Sequence, residues 1–156
     1  MSDQISGPAK RDRAGVIAPP PLIFAVFFFL GWFGRGLLPR AQSVIGGAVL
    51  VLVAASIIAW GATTMLRAHT HVDPYQPTTA LVTTGPFRFS RNPLYLSMTI
   101  GYVSASLWTA SMTSLALLPL AIVILHFGVI RREERYLEGK FGDAYSEYCA
   151  RVRRWV

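Results

Sequence analysis

The stretch Leu94–Ile130, LYLSMTIGYVSASLWTASMTSLALLPLAIVILHFGVI, runs for 37 residues without an Asp, Glu, Lys or Arg. A helix crosses the hydrocarbon core of a bilayer in about 20 apolar residues, so this run is too long for one ordinary span and fits two. The small polar residues of WTASMTS, 108–114, mark the expected turn between them. Upstream, SVIGGAVLVLVAASIIAWGATTML (43–66) reads as another span, and LIFAVFFFLGWFGRGLL (22–38) as a shorter first one. The expectation is an all-α integral-membrane helical bundle of about four transmembrane helices.

Composition agrees with that class. The chain has 156 residues, 53% hydrophobic and 15% charged, and its mean hydropathy of +0.42 is high for a soluble domain. All eight acids (Asp3, Asp12, Asp73, Glu133, Glu134, Glu138, Asp143 and Glu147) lie outside the four runs, as the cost of an unpaired carboxylate in lipid requires. Lys10, Arg11, Arg13, Arg67, Arg88, Arg91 and seven cations after Ile130 fall on one side of a four-span topology, against Arg35 and Arg40 on the other. The positive-inside rule then places both termini and the loop 67–93 in the cytoplasm, as in a multi-pass protein of a bacterial inner membrane. The net charge of +7 reads as attraction to anionic membrane lipids; no nucleic-acid motif accompanies it.

The basic tail ahead of a short apolar run also fits a secretory signal peptide. The following GRGLLPRAQS lacks a small-x-small cleavage pattern, which favours a retained span. The chain thus divides into a cytoplasmic tail (1–21), a transmembrane region (22–130) and a cytoplasmic C-terminal segment (131–156) that is expected to complete a ligand site with the loop 67–93. One cysteine, Cys149, excludes an intrachain disulfide and argues against a metal centre. In the C-terminal segment Leu137, Phe141, Tyr145, Tyr148, Val152 and Trp155 recur at helical spacing. They predict an amphipathic helix broken at Gly142, restarted with Asp143 as N-cap, and laid on the headgroups with Arg151, Arg153 and Arg154 toward lipid phosphates.

Chemistry concentrates where the loop enters the third span, GPFRFSRNPLYL (85–96). Gly85-Pro86 forces a turn, and Asn92 followed by Pro93 is a helix start. Arg88 and Arg91 stand beside that helix N-terminus, whose free amides favour an anion. RREER (131–135) emerges on the same side at the end of the fourth span. Antiparallel neighbours would bring the two together as a cationic and carboxylate pair of walls suited to a zwitterionic ligand. Charges at a membrane helix end also commonly form a solvated face, and until topology is considered the two readings are about even.

LVTTGPFRFSRNPLYL followed by EERYLEGKFGDAYSEYCARVRRWV resembles the isoprenylcysteine carboxyl methyltransferase family and its phospholipid methyltransferase relatives. These are integral membrane enzymes that use S-adenosylmethionine and release S-adenosylhomocysteine. The resemblance runs from about Thr79 to the C-terminus. It implies a cofactor pocket lined by Thr79, Ala80, Leu81, Val82 and Phe87, with contacts from Asn92, Pro93, Leu94 and Tyr95, and Glu133 toward the cofactor's amino group. Arg91, Glu134 and Tyr95 are the candidate catalytic residues. The implied function is methylation of a lipophilic small molecule or lipid at the cytoplasmic membrane face. Isoprenylcysteine enzymes carry His-Pro at Asn92-Pro93, Tyr at Phe87 and Arg at Val129, and these departures bear on the substrate more than on the cofactor. The alternative is a small membrane transporter or a non-catalytic helical partner protein, for which only His126 and Arg35 offer ionisable groups near the membrane interior.

Overall fold

The computed structural model describes residues 14–34 and 40–156, and the described residues contain helices and no strand. Lys10, Arg11, Arg13 and Arg35, on which part of the topology expectation rests, lie outside them. Six helices follow in order: α1 Pro20–Gly31, α2 Arg40–Arg67, α3 Pro93–Trp108, α4 Met112–Leu125, α5 Arg131–Phe141 and α6 Asp143–Arg151. A wide π-turn, His126–Ile130, joins α4 to α5 without a break.

Of the four expected spans, two are helices long and apolar enough to cross a membrane: Val44–Arg67 and Met112–Phe141. In their most apolar stretches only 17% and 33% of residues are buried in the protein. A core helix of a soluble domain would be mostly covered, so these apolar faces are left for a non-aqueous surrounding. α3 has 16 residues and α1 12, which at 1.5 Å per residue reach about 24 and 18 Å against a hydrocarbon core of about 30 Å.

α2 packs along α3, and α1 packs on α4. Small residues permit the close approach. Ser104 on α3 donates to the Gly47 carbonyl of α2 at 2.7 Å, and a side chain at Gly47 would meet the Ser104 carbonyl. Without a hydrophobic drive between helices in lipid, such packing and interhelical hydrogen bonds hold a bundle together. The expected turn at 108–114 is present as Thr109–Ser111. Ala110 takes a positive φ of 52°, and Ser111 caps α4 by accepting from the Ser114 amide at 3.2 Å. Ser111 also donates to the Gly31 carbonyl at 2.8 Å, which ties the end of α1 to this turn.

The π-turn carries a second tie. Its Gly128 carbonyl accepts from the Ile17 amide at 3.2 Å, and Arg132 reaches the Gly15 carbonyl at 2.8 Å. The segment ahead of α1 is thereby laid across the point where the apolar rod becomes the polar α5. Wide turns of this kind re-phase a helix and recur near functional sites. Val129 and Ile130, within the turn, are fully buried.

Candidate functional site

The loop-to-α3 segment and the C-terminal segment meet at one end of the bundle. Tyr148 donates its hydroxyl to the Phe87 carbonyl at 2.7 Å. The amide of Arg91 donates to the Arg153 carbonyl at 3.0 Å, and Asn92 Nδ2 to the Arg154 carbonyl at 3.0 Å. After α6 the chain thus turns back along residues 90–92 and pairs with them.

Asn92 occupies the N-cap position and Pro93 the first helical residue, as the sequence predicts, but the Asn92 side chain makes no cap bond. Its amide is a tether to the C-terminal tail, and its own backbone N–H is satisfied by Ser90 Oγ at 3.1 Å. At the other expected cap, Gly142 with φ 54° occupies the N-cap position and Asp143 is already helical. Here a positive φ, which glycine adopts without strain, separates α5 from α6.

Charge is arranged around Glu134. Arg154 grips it with Nε and Nη2, each at 2.8 Å, and Arg91 Nη1 stands 3.4 Å from the same carboxylate. The Glu134 hydrogen bond raises the Arg154 pKa. Arg91 Nη1 also bonds Cys149 Sγ at 2.7 Å, while its Nε is buried with no partner among the described residues. Glu133 points elsewhere and accepts the Tyr95 hydroxyl at 2.7 Å. Burial pushes the Tyr145 phenol up, with Cys149 adding to the effect, and raises Tyr148 to about 12. Both are therefore neutral donors at physiological pH.

These groups surround a cavity of about 610 Å3, within the usual range for a small-molecule site. Ala80, Leu81, Val82, Phe87, Asn92, Pro93, Leu94, Tyr95, Glu133, Arg91 and Glu134 all line it. Thr79 does not; it bonds Thr70 and His69 at the base of a neighbouring loop. Arg88 lies over the Phe89 ring at 5.2 Å and is likewise not part of the lining.

Sequence reasoning missed several lining residues. Pro19–Pro21, Ile58, Met65 and Met98 carry no signal beyond hydrophobicity, and the loop residues His71, Asp73 and Tyr75 were unremarked turn chemistry. Tyr145 and Tyr148 belong to the stripe expected both at headgroup depth and over the cofactor site, and both line the cavity. They are only 5% and 4% exposed and pack within the protein. Arg154, expected toward lipid phosphate, is held by Glu134. His126 stacks edge-on against Phe127 and lies outside the cavity lining. Among the described residues no group of three or more His, Cys, Asp or Glu could hold a metal ion.

Residues 42–144 match the family model described as phospholipid methyltransferase, which covers both α3 and the start of the C-terminal segment. The chain belongs to the phospholipid methyltransferase family. Similar proteins include the nickel-cobalt-cadmium resistance protein NccN of Alcaligenes xylosoxydans xylosoxydans, 38% identical over 47% of this chain and 34% of that protein. The cobalt-zinc-cadmium resistance protein CzcN of Cupriavidus metallidurans is 37% identical over 46% of this chain and 33% of that one. The chain thus spans about a third of the length of these two relatives. An uncharacterized protein of Haemophilus influenzae is 45% identical over 40% of this chain and matches along its whole length. No solved structure matches.

Proposed function

We propose that the protein is an S-adenosylmethionine-dependent methyltransferase of a bacterial inner membrane, with its termini and the loop 67–93 in the cytoplasm and a lipophilic acceptor drawn from the bilayer. The observation that carries this reading is the cavity at which the two motif segments converge, apolar along Leu81, Val82, Pro93 and Leu94 and charged at Arg91 and Glu133. Family membership supports the reaction class.

The residues fit the cofactor. Buried polar atoms are ordinarily paired, so the orphan Nε of Arg91 marks a position where a ligand acceptor belongs, and a carboxylate suits it. Glu133 offers its carboxylate to an ammonium or sulfonium, and Phe87 with the aliphatic residues suits an adenine ring. When bound, S-adenosylmethionine supplies a methyl group already activated on sulfur, with S-adenosylhomocysteine as the product.

What remains for the chain is alignment and exclusion of water. Tyr145 and Tyr148 shield one side of the cavity, and Asn92 and Arg91 fasten the tail that carries them. Glu134 has both oxygens engaged by Arg154, so its role is to hold Arg154 and Arg91 in place, not to take a proton. An amine or hydroxyl acceptor must lose a proton; the Tyr95 hydroxyl, already bonded to Glu133, is the route available. A carboxylate acceptor needs none.

The test is methyl transfer from labelled S-adenosylmethionine to a total lipid extract by the detergent-purified protein. Label in an organic-soluble product supports the proposal and identifies the acceptor class. Transport of a small solute with no methyl transfer and no S-adenosylhomocysteine binding overturns it in favour of a carrier.

A further inference from the structure

α2 ends in a tight reversal. The His69 amide bonds the Leu66 carbonyl at 3.0 Å and the Thr70 amide the Met65 carbonyl at 3.1 Å, with His69 at φ 52°. This is the paired-bond helix stop usually built on glycine. Immediately after it, Thr70 Oγ1 accepts from the Thr79 amide at 3.0 Å, and Thr79 Oγ1 donates to the His69 carbonyl at 2.6 Å. Thr70 is buried at 3% exposed, whereas His69 and Thr79, which close the clasp from the other side, are exposed. Residues 70–79 therefore form a loop whose two ends are fastened together. Within it, Asp73 Oδ1 accepts from the Tyr75 amide at 2.9 Å, and the Gln76 amide bonds the Asp73 carbonyl at 3.0 Å. The Thr78 amide meets the Tyr136 hydroxyl of α5 at 3.3 Å.

The loop encloses His71, Asp73 and Tyr75, all of which line the cavity, whereas Thr79 at its base does not. Compact loops with close ends are frequently functional. We propose that the Thr70–Thr79 clasp is a positioning device that holds this loop as a fixed wall of the cavity and thereby sets cofactor affinity. This inference rests on the methyltransferase reading. Without the clasp a ten-residue loop regains backbone freedom, and a ligand binds only the fraction of molecules in which the wall is formed. Apparent affinity falls by that fraction.

The experiment titrates S-adenosylhomocysteine into wild-type protein, Thr79→Val, Thr79→Ser, Thr70→Val and the Thr70→Val/Thr79→Val double variant, with amide hydrogen exchange followed at Tyr75 and Gln76. Thr79→Val should weaken binding about three- to tenfold, the worth of one hydrogen bond, and should speed exchange at Tyr75 and Gln76 but not within α2. Thr79→Ser retains the donor and should restore both. The double variant should be no worse than the weaker single one, because both act on one clasp. Wild-type binding with unchanged affinity in Thr79→Val, or simple additivity in the double variant, overturns the clasp alone. Failure of the wild-type protein to bind S-adenosylhomocysteine overturns the methyltransferase reading, and this inference with it.

Discussion

The α2 rod and the capped end of the bundle are stabilised in opposite ways. Along α2, hydroxyls bond within their own helix: Ser56 to Leu52, Thr63 to Ala59, Thr64 to Trp60, each four residues apart. At the capped end the bonds are long-range. Arg91 to Cys149 spans 58 residues of sequence, Phe87 to Tyr148 61, and Asn92 to Arg154 62. A rod whose polar groups are satisfied locally can present an apolar surface to lipid and tolerate change there. A cap assembled from distant segments has no local determinant and fails as a unit.

The largest expected effect breaks the cap outright. Deleting residues 143–156 removes Tyr145, Tyr148, Arg154 and the carbonyls that hold Arg91 and Asn92, and should abolish S-adenosylhomocysteine binding while leaving the helix content of α1–α4 by circular dichroism. Normal affinity in a folded truncated protein would reduce this segment to an anchor.

Next is Glu134→Ala, which leaves Arg154 and Arg91 without their shared partner. Removing a charge-assisted hydrogen bond costs about 1.5–3 kcal/mol, and the 38% exposure of the Arg154 side chain that makes these bonds places the loss toward or below the lower end. Melting temperature and cofactor affinity should fall together. A melting point unchanged from wild type would class the ion pair with weak surface pairs.

Asn92 sharpens the contrast, because it is where a local and a long-range explanation compete. Asn92→Ala should cost about 1 kcal/mol on either account. Asn92→Ser separates them: serine is an equally good N-cap but is too short to reach the Arg154 carbonyl. The cap should be destabilised by Ser as by Ala, read from thermal melts, and recovery of wild-type stability in Asn92→Ser would return this residue to a purely local role. The smallest effect lies on the rod. Leu52 is 68% exposed, so Leu52→Ala should change stability by less than about 0.5 kcal/mol.

The same contrast explains what the sequence made legible. The apolar runs, the turn at 108–114, the Asn92-Pro93 start and the break at Gly142 all follow from residues within a turn or two of one another. The meeting of RFSRNP with RREER also followed, through topology. What it could not reveal were pairings set by tertiary approach. Nothing near Arg154 names Glu134 as its partner, and the aromatic stripe of α6 looks the same whether it faces lipid or protein. Thr79 was assigned to the pocket with its neighbours Ala80–Val82, yet one residue's displacement at the loop base puts it on the clasp. The π-turn likewise has no signature in HFGVI; it coincides with the place where the segment ahead of α1 crosses, Ile17 lying against Gly128.

The central claim is that this assembled cap grips a zwitterionic cofactor between Arg91 and Glu133. Calorimetric titration of S-adenosylhomocysteine into wild-type and Glu133→Gln protein tests it most directly. The account predicts saturable one-site binding by the wild type and a loss of about tenfold to a hundredfold in Glu133→Gln, the equivalent of one charge-assisted hydrogen bond, with little change in melting temperature. Equal affinity in the two proteins, or no binding to either, would contradict it.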